Sequence, residues 1–211
     1  MSRVVVLAAG EVYDITRVRR LVGRPDLVIC ADAGLRHARA LGLRPDVLLG
    51  DFDSLPADVL AAARAEGVPI LQVPVEKDET DTELALAEAV RRGAGEVLLV
   101  GGSGTRLDHT VSNLLLLPTC PVPVTMTDGK NIARVLRGGE WLEVPREAGS
   151  FLSLVPLSPA VTGVTVTGVH WPLSGATLRW GESLGVSNRI VDRCARVSVG
   201  EGYLLVVQAW D

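Results

Sequence analysis

Two lysines, three cysteines, three histidines and very few aromatic residues (4%) stand out first in this chain of 211 residues. Each scarcity excludes something. Cys30, Cys120 and Cys194 are odd in number and widely spaced, with no Cys-x-x-Cys pair. They predict neither a disulfide framework nor a zinc ribbon, and suit a reducing, cytoplasmic compartment. No apolar run approaches the 18 residues of a membrane span. The opening run Val4–Ala9 is too short for a signal peptide and reads as a first buried strand. A net charge of −4 gives no electrostatic case for nucleic acid or a membrane surface. Because Lys77 and Lys130 are the only lysines, a lysine placed inside an acidic motif is conspicuous.

What is present is core material, with 47% apolar residues and a mean hydropathy of +0.29. The first half alternates short continuous Val/Leu/Ile runs with amphipathic stretches that end in glycine. Strands are expected at Val4–Ala9, Leu27–Ala31, Val47–Gly50, Ile70–Val73 and Val97–Val100. Helices are expected at Thr16–Leu21, Leu35–Leu41, Ala57–Glu66, Asp81–Arg92 and Asp108–Leu117. This is the pattern of a mainly parallel sheet between helices, an α/β domain over residues 1–128. After Pro118 the helical signal stops. Short strands at Ile132–Leu136, Phe151–Val155, Val161–Val166, Ala176–Leu178, Val186–Val191, Ala195–Val199 and Tyr203–Val207 are punctuated by Gly, Ser and Pro. They predict a smaller all-β antiparallel sandwich over residues 129–211.

The chemistry gathers where strands stop and helices begin, the edge at which open α/β sheets bind ligands. GDFDS places Asp51 and Asp53 two residues apart beyond a strand. Extended geometry would put both on one side, roughly 6–7 Å apart, with Phe52 opposite. Two such carboxylates suit Mg²⁺, which takes one or two of them together with phosphate oxygens and water. Capping explains part of the motif, with Ser54 as a helix cap. KDETDTE is similarly double: Thr80 and Glu83 form a capping box, which leaves Lys77, Asp78 and Asp81 for cation and phosphate. In VGGSGTRLDH, glycines including Gly102 permit a close backbone approach. Arg106 and Asp108 add a phosphate fork and a further carboxylate, Thr105 is a candidate cap, and His109 reads as structural. Asp32, in CADAG, sits at a strand end as either a cap or a ligand.

The succession DAG, PDVLLGDFDS, KDETDTELAL and GGSGTRLDHTVSNLLLL, followed by VTGVHWPL and SLGVSN, resembles the thiamine pyrophosphokinase family in order and spacing. The resemblance covers nearly the whole chain. It implies Mg²⁺-dependent transfer of pyrophosphate from ATP to thiamine, giving thiamine diphosphate and AMP. It also implies a homodimer with active sites between the α/β domain of one subunit and the β domain of the other. On that resemblance Asp32, Asp51, Asp53, Asp78 and Asp81 are metal carboxylates, with Asp51, Asp53, Asp78 and Asp81 catalytic. Asp32, Lys77, Thr80, Gly102, Arg106 and Asp108 face the nucleotide, and Ser187 and Asn188 face thiamine. One departure stands out. The family packs an aromatic ring on the thiazolium from just after Ser-Asn, where this chain has Arg189-Ile190-Val191-Asp192. Trp171, or else Trp180 or Trp210, is expected to take over that cation–π contact. Three other readings stay open: a pyrophosphokinase for a pterin alcohol, a non-catalytic nucleotide- or thiamine-binding regulator, and a magnesium-dependent nucleotide hydrolase.

Overall fold

The computed structural model describes residues 2–53 and 55–211, which divide into two compact units, Met1–Gly129 and Lys130–Asp211. In the first unit β1 (Ser2–Leu7), α1 (Ile15–Val22), β2 (Leu27–Ala31), α2 (Leu35–Leu41), β3 (Val47–Gly50) and α3 (Ala57–Ala65) follow one another. Then come β4 (Ile70–Gln72), α4 (Asp81–Arg91), β5 (Ala94–Val100), α5 (Leu107–Leu116) and β6 (Val124–Thr127). The strands lie in the order β4-β3-β2-β1-β5-β6, and every adjacent pair is parallel.

The apolar runs make this sheet because both of its faces are covered. Val5 and Leu7 pack with Val18 and Val22 of α1, Leu35 and Ala38 of α2, and Ala63 of α3 in one core. Val4 and Val6 are equally buried. By the two-residue period of a strand they point to the other face, where α4 lies across β1, β2, β3 and β5. Strand order reverses between β1 and β5. The chain steps outward from β1 to β4 on one side, then returns to place β5 and β6 on the other. Such a switch point opens a crevice at the carboxyl edge of a parallel sheet.

The second unit has one sheet of β7 (Asn131–Arg137), β13 (Tyr203–Trp210) and β9 (Ser150–Pro156) in that order, all antiparallel. Its other sheet orders β11 (Leu173–Arg179), β10 (Ala160–Thr167), β12 (Cys194–Ser198) and β8 (Trp141–Pro145), again antiparallel. Leu136, Leu152, Leu154 and Leu204 of the first sheet meet Val164, Val166, Leu178 and Val197 of the second in one core. The unit is a β-sandwich.

Two local expectations fail. Val186–Val191 is not a strand: Asn188 and Ile190 make only isolated bridges, to Leu152 and Val169. Ser187 there is left-handed at φ +59°, which breaks extended pairing. Strands β6 and β8 are not among the expected elements. β6 is a four-residue strand just after Pro121 and Pro123, and in β8 only Val144 is buried. Ser54, expected as a cap, lies outside the described residues; α3 starts after Pro56 with no side-chain cap bond. No helix among the described residues is long and apolar enough to cross a membrane.

Candidate active site

At the carboxyl edge of the first unit's sheet is a cleft of about 480 Å³. Asp32, Asp51, Asp53, Thr80 and Asp81 line one wall, and Gly10, Glu11 and the turn Gly101–Arg106 line the other, with His109 and Asn113. Four strand ends meet here because four parallel strands stop at one edge: β1, β2, β3 and β5.

Asp32 begins a single 3-10 turn, Asp32–Gly34, after β2. Gly34 allows that turn to press on β1, since a Cβ there would lie 2.0 Å from the Leu7 carbonyl oxygen. Asp32 itself is buried with φ +46°. Phe52 is left-handed too, at φ +64°, so the segment after β3 is a turn and not the extended ribbon expected. Two contacts explain it. The Asp53 N–H donates to Asp51 Oδ1 at 3.2 Å, the local bond aspartate favours in turns. The Phe52 ring enters the core with Leu48 and Ala63, where burying a phenyl group contributes about 1.5–3 kcal/mol, enough to offset the 1–3 kcal/mol of a sparsely populated φ/ψ. Among the described residues the only non-glycine positive φ values are those of Asp32, Phe52 and Ser187, each inside a motif read as functional.

Lys77 sets the electrostatics of the acidic wall. Its Nζ lies 3.2 Å from Asp51 Oδ2 and 3.3 Å from Asp81 Oδ1. Burial pushes the Lys77 ammonium down, but the bonds to Asp51 and Asp81 outweigh it and hold its pKa above the ordinary value. Asp51 is also burdened by burial, yet the Asp53 N–H and Lys77 hold it below its ordinary value. Asp81 goes the other way. Burial raises it, Lys77 opposes that rise, and the negative charges of Asp51 and Asp32 add a smaller share to it. Among the described residues the buried Asp81 Oδ1 meets no hydrogen-bond partner, only the Lys77 ion pair.

Thr80 caps α4 by accepting the Glu83 N–H at 3.2 Å, the forward half of the expected capping box. Arg106 lines the cleft and grips Asp108 at 2.6 Å, while Asp108 is exposed and outside the lining. Asp78 is likewise exposed and away from the cleft. Thr105 does not cap α5, which begins after Arg106 without a side-chain cap bond. Thr110 takes that place, its Oγ1 accepting from Gly104 N and donating to Arg106 O, both at 3.2 Å. Gly10, Glu11 and Asn113 had no chemical signature in the sequence reading, yet all three line the cleft.

In the second unit Asn188 is buried and its amide is engaged by main chain. Oδ1 accepts from Trp171 N at 3.1 Å and from Arg189 N at 2.8 Å, and Nδ2 donates to Trp171 O at 2.7 Å. It therefore fixes the main chain of Trp171, a residue 57% exposed whose ring stands edge-on to His170 with centroids 4.5 Å apart. Ser187 N–H donates to Ser153 Oγ at 3.0 Å. Trp180 is exposed, and Trp141 carries Arg196 over its face at 4.2 Å.

A cleft at the switch point of a parallel sheet, with carboxylates on one wall and a glycine turn and arginine on the other, is the architecture of an α/β enzyme. The particular family follows from comparison. Residues 18–125 match the thiamin pyrophosphokinase catalytic domain, and residues 142–204 match its vitamin B1 binding domain. The chain belongs to the thiamin pyrophosphokinase family. It is 26% identical over 215 residues to the thiamine pyrophosphokinase of Bacillus subtilis (strain 168), with 100% of both chains covered. The crystal structure of the enzyme from Geobacillus thermodenitrificans superposes with a TM-score of 0.87 at 29% identity, covering 99% of this chain and 98% of that one. A thiamin pyrophosphokinase family protein from Enterococcus faecalis gives 0.83 at 28%, over 100% of each. These matches do not favour a pterin kinase or a non-catalytic regulator.

Proposed function

We propose that this chain is the thiamine pyrophosphokinase its family implies, moving the terminal pyrophosphoryl group of ATP to the hydroxyethyl oxygen of thiamine. The observation that carries this reading is the convergence of Asp32, Asp51, Asp53, Asp81, Arg106 and the Gly101–Gly104 turn on one cleft, inside the span of the catalytic-domain match. In the reaction the alcohol oxygen bonds to the β-phosphorus, the bridge to the α-phosphate breaks, and its electrons leave with AMP. The alcohol proton passes to a carboxylate of the cleft.

The donors fit Mg²⁺. They are all hard oxygens, and Asp51, Asp81 and Asp32 lie close enough to interact around the single ammonium of Lys77. No group of three or more His, Cys, Asp or Glu among the described residues forms a closed metal cage. A cation that takes one or two carboxylates and completes its shell with phosphate and water needs none. We assign the one or two carboxylates of that cation to the set Asp51, Asp53 and Asp81, with Asp32 behind them, and leave Asp78 outside the cleft. When bound, the metal neutralises phosphate charge. Arg106 offers a fork to phosphoryl oxygens and Thr80 lines their path.

On the thiamine side we assign the contacts to Ser187 and to Trp171, with Asn188 as the residue that holds the Trp171 main chain in place. An indole face on a thiazolium gains about 0.5–2 kcal/mol. A homodimer suits the exposed Trp171, Leu184, Val186 and Val191 of the second unit, and three free cysteines suit the cytoplasm. The test is direct: protein, ATP, Mg²⁺ and thiamine are incubated and the products separated. AMP with thiamine diphosphate is the expected result. ADP, or AMP formed without thiamine, would sink the proposal.

A further inference from the structure

The peptide planes of the glycine turn are set by bonds to neighbouring segments that line the cleft with it. Gly10 N–H donates to Gly101 O at 2.9 Å and Glu11 N–H to Ser103 O at 2.7 Å. Between them, Asn113 Nδ2 donates to Gly102 O at 2.7 Å. A trans peptide is planar, with its carbonyl and the following N–H on opposite sides. Drawing these three carbonyls onto those partners therefore turns the N–H groups of Gly102, Ser103 and Gly104 away from them. Gly104 N–H meets Thr110 Oγ1. Those of Gly102 and Ser103, two cleft-lining residues, have no protein partner among the described residues. Successive unpaired N–H groups make an anion-receptive concavity.

That arrangement holds only while the turn Ala8–Glu11 stays in place, and it is braced from α2. Arg36 Nη2 donates to Ala9 O at 2.8 Å and to Gly10 O at 2.9 Å. His37, 8% exposed, places Nε2 2.7 Å from the same Gly10 oxygen. A carbonyl only accepts, so Nε2 carries the hydrogen, and the 3.4 Å approach of Arg36 Nε to that nitrogen is no bond. Burial lowers the His37 pKa and favours that neutral donor. The fit is tight: a Cβ on Gly10 would stand 2.1 Å from Ser103 O.

We propose that His37, assisted by Arg36, is a positioning residue for nucleotide phosphate. Through the Gly10 carbonyl it locks the turn whose N–H groups hold the Gly101 and Ser103 carbonyls, and with them the orientation of the Gly102 and Gly104 N–H groups. This deepens the pyrophosphokinase reading and rests on it for the identity of the nucleotide.

The test measures Mg²⁺–α,β-methylene-ATP affinity by calorimetry, together with KM for ATP and for thiamine. His37→Leu is expected to weaken the analogue about tenfold, the worth of one buried hydrogen bond, and to raise the KM for ATP in step. The KM for thiamine stays within about twofold. His37→Gln, whose amide reaches as far as Nε2, restores affinity to within about threefold of the parent. Arg36→Gln, at a half-exposed side chain, loses about threefold in the same direction. Unchanged affinity in His37→Leu, a Gln variant no better than Leu, or a parallel rise in the thiamine KM would overturn the proposal. Should His37→Leu not fold, Arg36→Gln decides: full nucleotide affinity there overturns it. If the parent binds the analogue but makes no thiamine diphosphate, the pyrophosphokinase reading fails, while the binding series still judges the brace.

Discussion

One wall of the cleft is charged side chain and the other is mostly main chain. On the acidic wall, Asp51 and Asp81 reach toward a lysine that satisfies them incompletely. On the facing wall, Gly101 to Gly104 act through peptide groups whose carbonyls are taken up by Gly10, Glu11 and Asn113. The two walls suit the two halves of one ligand, since a cation needs oxygen donors and a phosphate needs N–H donors. They also fail differently. A single isosteric change can disarm the acidic wall, because its function sits in individual charges. The peptide wall is carried by several bonds at once and should lose affinity in steps.

The largest expected effect tests that contrast on the acidic side. Asp53→Asn keeps the shape of an exposed turn residue and removes a carboxylate proposed to hold the cation. Turnover should fall by about a thousandfold, the scale seen when one preorganised electrostatic partner of a transition state is lost, with the melting temperature nearly unchanged. Product formation beside a thermal melt checks it. Full activity would mean that GDFDS is only a helix entry.

The same contrast explains what the sequence made legible. Asp32, Asp51, Lys77 and Asp81 are conspicuous by residue type, and an acid at the end of an apolar run announces itself. β2, α2 and β3 have the very bounds that their apolar runs predict, because a sheet buried on both faces needs unbroken Val, Leu and Ile. The Ala8–Glu11 turn carries no such mark. Its role depends on which carbonyls its N–H groups reach across the β1–β5 switch point, and pairing between distant segments leaves no local trace. The left-handed φ of Phe52 is hidden for a like reason: the core that holds its ring is assembled from α3 and the sheet. Spacing alone does not separate Asp81, which lines the cleft, from Asp78, exposed and outside the lining three positions earlier.

Lys77→Met probes how incomplete the neutralisation of the acidic wall is. Lys77 is held above its ordinary 10.5 and Asp51 below its ordinary 3.8. The pair thus stabilises the fold at pH values between those two. The Asp51 share is lost as pH falls through its lowered pKa, and the Lys77 share as pH rises through its raised one. Removing the ammonium leaves two partly buried carboxylates facing each other, at a cost of about 1–3 kcal/mol near neutrality. Mg²⁺ should therefore raise the melting temperature of the variant more than that of the parent, and acid should narrow the gap between them. Equal Mg²⁺ shifts in both proteins would mean that the wall does not seek a cation.

The smallest expected effect comes from a carboxylate of the same helix that already has all the cation it can use. Glu88 of α4 is buried and receives Arg91 through both oxygens, at 2.6 and 2.7 Å, and Arg92 at 2.6 Å. The Arg91 bonds lead, burial opposes them, and Arg92 adds to them, so the Glu88 pKa falls from 4.5 to about 2. Asp81, seven residues earlier, is shifted upward. A depressed carboxyl contributes stability that is fully present above the unfolded value and is lost as pH falls through the folded one. Glu88→Gln should therefore cost about 1–2 kcal/mol at pH 7, and that difference should shrink between pH 4.5 and about 2. Because Glu88 does not line the cleft, the variant's KM for ATP and for thiamine should match the parent's. Denaturant melts across that pH range measure the first expectation and steady-state kinetics the second. A gap that stays constant down to pH 2 would show that the arginine pairs do not hold Glu88 ionised, and the distinction drawn between a satisfied and an unsatisfied carboxylate on α4 would then lose its physical basis.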